Sequence, residues 1–473
     1  MESFIGRERE LSLLTAILER AQRGGLGGRP GRAMLIRGRR RVGKSRLVEE
    51  FVERADVPCV FFTAEGQATA EADVELFVQA IAESSLPGAR RVAGLQADNW
   101  PAAFRLLTAA IGSEEPAVVV MDEMPYLVRN DPGFEGALQK AFDRDLARLP
   151  VLLLGIGSDI SMMEALNAYG RPFHQRATEM VVSALTPRDV ADALSLPAAQ
   201  AFDAYLVSGG LPLILDEWPE GATVAEYLRS AVRDPTSALL VSGERSIAAE
   251  FPDEAQARQV LRAVGTGEQT FTGLMKAAGL PKTTLLRALR LLADKRMVTT
   301  ALPLSTKASQ QARYLITDAH LRFWLAFLGR YMAEIERGRG DLTLARIEKT
   351  WTTWRGQAVE PIIREAVSRL VGDQAPMAEV VGSYWTRAED VQIDLVGADR
   401  EPVAREIHFV GSIKWRDNRP FSQADLAELH VQRSQLPGAS ASTPLVAVSR
   451  AAAQLDGVYM LTAEDLLDAW RVR

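Results

Sequence analysis

The chain has 473 residues, 47% hydrophobic and 25% charged, with a formal net charge of −6. That length exceeds one compact core and calls for two to four domains of roughly 100–200 residues, while the negative balance excludes a chain-wide basic field for nucleic acid or acidic lipid. A single cysteine, Cys59, excludes an intrachain disulfide and thiolate clusters for zinc or iron–sulfur.

The N-terminus, MESFIGRERE, lacks the basic-then-apolar order of a signal peptide. No apolar run approaches the roughly 20 residues of a membrane helix. A cytoplasmic protein without a membrane partner is expected. A helix is predicted over 8–23, followed by the loop GGLGGRPG over 24–31. Apolar strands are predicted over 33–36, 59–63, 117–122 and 151–156, with helical stretches between them. Continuous apolar strands alternating with helices imply an α/β fold with a parallel sheet covered on both faces, ending near residue 182. Cys59, within Val-Pro-Cys-Val-Phe, is expected to be a packing residue of a buried strand.

Between the first strand and the next helix stands Gly38-Arg39-Arg40-Arg41-Val42-Gly43-Lys44-Ser45, which fits G-x-x-x-x-G-K-[ST] without a mismatch. In such a P-loop the main-chain amides turn inward to phosphate oxygens, and the helix N-terminus adds partial positive charge. Lys44 is expected to reach the β- and γ-phosphates of ATP, and the Ser45 hydroxyl to bind magnesium. The run Val118-Val119-Val120-Met121-Asp122-Glu123 is an apolar strand ending in two acids. Asp122 is the expected oxygen ligand for the same ion, and Glu123 the residue that orients or deprotonates water. The fourth strand ends at Gly157-Ser158-Asp159. Ser158 is a candidate γ-phosphate sensor; the other role open to it or to Asp159 is a helix N-cap, and the two can coexist. Arg171, in Tyr169-Gly170-Arg171-Pro172, is either a charge-stabilising arginine, in cis or from a neighbouring subunit, or an ordinary solvated one.

These segments resemble one family, the archaeal-type DEXX-box ATPases of the AAA+/STAND-like P-loop class. The resemblance rests on Phe4-Ile5-Gly6-Arg7-Glu8, the P-loop, Asp122-Glu123 with Tyr126-Leu127, and Gly157-Ser158 with Ser161-Met162-Met163. It continues through Tyr169-Gly170-Arg171 and Gly209-Gly210-Leu211-Pro212, covering about the first 240 residues. It implies that Ile5-Gly6-Arg7 lines the adenine side. It also implies that the Gly-Gly-x-Pro segment belongs to a helical lid, placed over 183–248. Oligomerisation is compatible with this class.

Residues 249–325 read as a helix-turn-helix unit, with helices over 255–265, 272–278 and 281–293 and a wing-like hairpin over 297–314. This unit resembles a winged helix, whose third helix would enter the major groove of double-stranded DNA. Leu285, Leu289 and Leu292 form an apolar stripe, and Lys282, Thr283 and Arg287 lie largely off it. Residues 250–320 hold ten Lys/Arg against six Asp/Glu. A patch of that sign suits a few phosphates across residues 270–300; an internal role as a lid or protein contact is the alternative.

The resemblance resumes at Tyr314-Leu315-Ile316-Thr317-Asp318, Leu321-Arg322-Phe323-Trp324 and Ile335-Glu336-Arg337-Gly338, and continues to Glu360, Trp385, Asp394 and Lys414-Trp415. Residues 326–473 are similar to a restriction-nuclease-like domain of the PD-(D/E)XK type, with strands predicted over 391–396, 403–410 and 445–448. That type implies two acids holding magnesium and a lysine beside them. Here Glu360, Asp394 and Lys414 stand in matching places, but Ser412 replaces the glutamate expected two residues before the lysine. Glu406 shares the strand parity of Lys414 but lies eight residues away, roughly 26 Å along an extended strand. A degenerate, inactive site is therefore expected. The reading that leads is an ATP-driven switch or remodeller. The alternative is an ATP-regulated nucleic-acid-binding protein or nuclease.

Overall fold

A computed structural model describes residues 4–23, 29–171, 173–251 and 253–471. Most of the glycine-rich loop expected over 24–31, and Pro172, lie outside the described residues. The chain forms two compact units, Met1–Ala184 and Leu185–Arg473.

The first unit is an α/β layer structure. Helix α1 (Glu8–Arg23) precedes strand β1 (Arg32–Arg37), helix α2 (Lys44–Ala55) and strand β2 (Cys59–Thr63). Then come helices α3 (Ala70–Glu83) and α4 (Trp100–Ala110) and strand β3 (Ala117–Asp122). Helices α5 (Met124–Asn130) and α6 (Phe134–Arg144), strand β4 (Val151–Gly157), helix α7 (Ile160–Leu166) and strand β5 (Ala177–Val181) complete it. The five strands pair in parallel in the order β2-β3-β4-β1-β5. Every residue of β3 and β4 is buried, which explains their unbroken apolar sequences. One face is closed by Phe62, Phe77, Trp100, Phe104 and Phe134. Their rings meet mostly edge to face or tilted, as close as 4.8 Å between Trp100 and Phe134. Side-chain caps set the entries to α3 (Thr69) and α4 (Asn99).

The order of this sheet matters for the site. Strand β1 lies beside β4, with Arg37 opposite Gly157, and β4 lies beside β3. The loops after β1, β3 and β4 therefore emerge side by side at the carboxyl edge, where α/β sheets bind ligands.

The second unit begins with helices α8 (Pro187–Leu194) and α9 (Ala198–Ser208). Gly209 and Gly210 follow, both with positive φ (62° and 66°). A Cβ on Gly210 would lie 2.0 Å from the Leu185 carbonyl oxygen, so only glycine fits there. Helices α10 (Ala255–Gly265), α11 (Phe271–Ala277) and α12 (Lys282–Asp294) come next. The antiparallel pair β6 (Val298–Ala301) and β7 (Arg313–Ile316) follows them. Thr270 caps α11, so this helix starts one residue earlier than expected.

Helices α13 (Gly340–Ala358) and α14 (Glu360–Leu370) lead to a second sheet: β8 (Val380–Trp385), β9 (Gln392–Ala398), β10 (Ile407–Lys414), β11 (Leu445–Ser449) and β12 (Tyr459–Leu461). Its order is β12-β11-β10-β9-β8, antiparallel from β8 to β10 and parallel from β10 to β12. Helix α15 (Gln423–Gln435) makes the crossover from β10 to β11, and helix α16 (Ala463–Asp468) ends the unit. The strand expected over 403–410 runs instead from Ile407 to Lys414. The reason is local: Asp399 Oδ1 accepts from the amides of Arg405 and Glu406 and holds them in a turn, and the amide of Ala404 donates to Ser305.

The β6–β7 hairpin does not stand free of the second sheet. Leu304 is buried in the core that includes Ile393, Val396 and Phe421, and its amide donates to Ser383 O at 2.9 Å. The Trp385 indole donates to Gln311 O at 3.1 Å, and Arg313 lies over the Trp385 ring at 4.6 Å.

Candidate functional site

The P-loop closes over the tip of β1. Arg41 (φ 66°) and Gly43 (φ 86°) both adopt left-handed backbone, which turns successive amides toward one hollow. Gly38 packs so tightly that a Cβ there would meet the Val182 carbonyl oxygen at 2.2 Å. Helix α2 starts at Lys44 with no side chain capping its first amides, the arrangement that receives an anion. Val42 is buried. Arg40, beside it, donates to the Tyr126 hydroxyl at 3.0 Å.

Lys44 is buried, and its ammonium donates to the carbonyls of Gly38 (3.0 Å) and Arg39 (2.9 Å), within the loop. Ser45 Oγ donates to Asp122 Oδ2 at 2.6 Å. Asp122 Oδ1 accepts from the amide of Glu123 at 2.8 Å. Lys44, Ser45 and Asp122 are thus brought to one place by two strands, β1 and β3, that are not themselves neighbours. Glu123 is in left-handed conformation (φ 52°, ψ 41°), an uncommon state for a non-glycine residue that aims its side chain across the strand tips. There its carboxylate meets Ser158 Oγ at 3.1 and 3.0 Å. The cap of α7 is Asp159, which accepts from the Met162 amide, so the Ser158 hydroxyl serves Glu123 instead.

Two sequence candidates have partners within the first unit. Arg7, expected on the adenine side with Ile5 and Gly6, sends its guanidinium to the carbonyls of Val42 (3.0 Å) and Ser183. It braces the back of the P-loop. Arg171 forms an ion pair with Glu135 in the first turn of α6. Burial pushes the Glu135 carboxyl up, and the Arg171 charge opposes that.

In the second unit Lys282, Thr283 and Arg287 are all exposed on α12; Thr283 and Arg287 project away from the buried Leu285, Leu289 and Leu292, and Lys282 borders that stripe in the first turn. Glu360, Asp394, Ser412 and Lys414 form a separate group. Asp394 Oδ2 accepts from Ser412 Oγ (3.1 Å) and from the Ile413 amide (2.9 Å). Burial and the nearby Asp394 charge push the Glu360 carboxyl up to about 7, opposed by Arg364 and Arg322. Lys414 pairs with Glu428 on α15 at 3.3 Å. Glu406, just before β10, has its side chain largely in solvent, beside His408.

Sequence reasoning missed Arg364, although it stands four residues after Glu360 on a helix and so on the same face. It also missed a buried ion cluster. Asp203 on α9 accepts from Arg355 (3.1 Å) and Arg450 (2.7 Å), and both arginines also bond Asp417. No sequence signal joins residues this far apart.

Comparisons with known proteins agree with the fold of the first unit. Residues 3–154 match a family model described as an AAA ATPase domain. Residues 324–428 match a second, described as archaeal and bacterial proteins of unknown function. An uncharacterized protein of Methanocaldococcus jannaschii is 22% identical over 434 residues, spanning 88% of each chain. Among solved structures, a Walker-type ATPase of Pyrococcus abyssi is 17% identical and covers 68% of this chain and 96% of its own, with a TM-score of 0.49. The ORC2 protein of Aeropyrum pernix is 14% identical and covers 72% and 97%, with a TM-score of 0.46. The N-terminal segment is thus similar to nucleotide-binding AAA ATPase domains. No helix among the described residues is long and apolar enough to cross a membrane.

Proposed function

We propose that this protein binds ATP with magnesium, hydrolyses it, and uses the cycle as a switch or remodeller. The observation that carries the reading is the convergence of Lys44, Ser45, Asp122, Glu123 and Ser158 at the tips of three adjacent strands. Ser45 Oγ and Asp122 Oδ2 lie 2.6 Å apart and offer two hard oxygens toward the phosphate hollow, a donor set that suits magnesium. What the ion supplies when bound is neutralisation of charge on the β- and γ-phosphate oxygens.

The remaining work belongs to the chain. Inward amides of residues 38–45 and the first turn of α2 hold the phosphates. Lys44 exchanges its carbonyl partners for phosphate oxygens, gaining a charge-assisted contact. Glu123 aligns a water with the γ-phosphorus and accepts its proton as the bond to the β-phosphate oxygen breaks. Ser158 holds Glu123 in place and is within reach of the γ-phosphate side of the hollow. Residues 1–182 are the ATPase core in this reading and 183–248 the helical lid. Residues 249–325 are a winged helix and 326–473 a nuclease-like domain.

A second reading adds double-stranded DNA as partner. It is favoured by one observation: Thr283 and Arg287 lie on the exposed face of α12 with Lys282 exposed in its first turn, an arrangement a major-groove helix could use.

Phosphate release from ATP tests the first reading. Lys44→Ala should fall to background through lost binding, and Glu123→Gln should keep binding but lose about 100-fold in turnover. Wild-type turnover no higher than that of Lys44→Ala removes hydrolysis from the account.

A further inference from the structure

We infer that the acidic pair of the second sheet has a built-in cation: the Arg364 guanidinium holds the place that a divalent metal takes in a nuclease-like site, and the centre is metal-free. The inference rests on the nuclease-like reading of residues 326–473.

A magnesium site needs ionised oxygens that face open volume, with room for the waters this ion retains. In the group around Glu360 and Asp394 both carboxylates are already engaged by other partners. Arg364 Nη1 lies 3.3 Å from Glu360 Oε2 and 3.0 Å from the main-chain oxygen of Asp394, so one guanidinium spans both acidic residues. Its side chain is largely buried. The coordination capacity of Asp394 Oδ2 is already used by two donors, the Ser412 hydroxyl and the Ile413 amide. Ser412 therefore gives a proton to Asp394 where a glutamate would have given the metal a second charge.

Positive charge near the pair is also in excess. Arg322 is partly buried close to Glu360, with its guanidinium on the carbonyls of Ala358 (3.1 Å) and Gln357 (3.3 Å). Lys414, the residue that would steady a scissile phosphate, is turned to Glu428. A divalent ion entering between the carboxylates would meet two guanidinium groups at short range in a poorly solvated place. The loss of metal binding thus has two independent causes, the charge removed at Ser412 and the charge added at Arg364. Neither reversal alone is enough.

The consequence is structural. Arg364 ties the first turn of α14 to β9, so the centre fixes a helix on a sheet and the domain acts by binding.

Mn2+ binding by the full-length chain without nucleotide, read from the free-ion electron paramagnetic resonance signal, tests this. All variants carry Asp122→Asn, which silences the P-loop metal site. The parent, Ser412→Glu and Arg364→Met should bind no Mn2+ in the second unit. The double variant Arg364→Met/Ser412→Glu should gain one site that neither single variant shows. A site in the parent that Asp394→Asn removes would overturn the inference while supporting a nuclease-like domain. Metal binding by Ser412→Glu alone would overturn the role of Arg364. A folded double variant that gains no site would overturn the nuclease-like reading and the inference with it; circular dichroism and the tryptophan fluorescence of the second unit verify folding.

Discussion

The hydroxyl of Ser158 sits 3.1 and 3.0 Å from the two carboxylate oxygens of Glu123, across the tips of neighbouring strands β4 and β3. One hydroxyl proton is shared between both oxygens, so the contact orients the carboxylate as a unit. The strained backbone of Glu123 makes that orientation dependent on its neighbours. Ser158→Ala should lower the turnover number about tenfold with little change in the Michaelis constant, since the loss falls on alignment of water. Steady-state phosphate release measures both parameters. An unchanged turnover number would assign Ser158 to packing alone.

The ion cluster around Asp203 predicts a stability effect in the second unit. Asp203 and Arg355 are almost fully buried, and Arg450 is mostly so. Asp203→Ala leaves two guanidinium groups with only Asp417 to share. A loss on the order of 3 kcal/mol is expected for the unit containing residues 185–473. Chemical denaturation followed by tryptophan fluorescence checks it, since Trp415 donates to Asp203 within the cluster.

On the reading that adds DNA as partner, the hairpin bears on which residues would meet it. Leu304 is locked into the core of the second sheet, so the hairpin tip acts as a clasp. Leu304→Ala should cost about 2–5 kcal/mol through the cavity it leaves. Arg287→Ala should weaken binding to duplex DNA and reduce the slope of log affinity against log salt by about 0.9. Lys307→Ala, on the exposed part of the hairpin loop, should leave that slope unchanged. Fluorescence anisotropy at several salt concentrations separates the two.

Cys59 predicts a slow thiol. It is half-buried at the start of β2, less enclosed than its sequence implied, yet burial pushes the thiol up to about 12. Only the thiolate reacts, so at pH 8 roughly one molecule in ten thousand is reactive there. Alkylation of the native chain should be about a thousandfold slower than of the urea-unfolded chain, and should accelerate as pH rises toward 12. Mass spectrometry of timed samples gives both rates.

The nucleotide site was the most legible part of the sequence. Its spacing is set by one turn between a strand and a helix, so eight contiguous residues carry it. Asp122 and Glu123 were legible because an apolar strand ends on them. The bracing role of Arg7 was not, since its partners Val42 and Ser183 come from distant segments. Strand β10 was misplaced by four residues because the apolar run after Pro402 reads as strand, whereas the Asp399 side chain holds Arg405 and Glu406 in a turn before the strand begins. The docking of Leu304 and the pairing of Asp203 with Arg450 arise from contacts between segments far apart in the chain, which local periodicity does not encode.

Equilibrium binding of a non-hydrolysable ATP analogue, with and without magnesium, tests the central claim most directly. The wild type and Glu123→Gln should bind more tightly when magnesium is present. Ser45→Ala should lose that dependence, and Lys44→Ala should bind at least about 100-fold more weakly. Equal affinity of the wild type and Lys44→Ala, with or without the ion, would contradict the account.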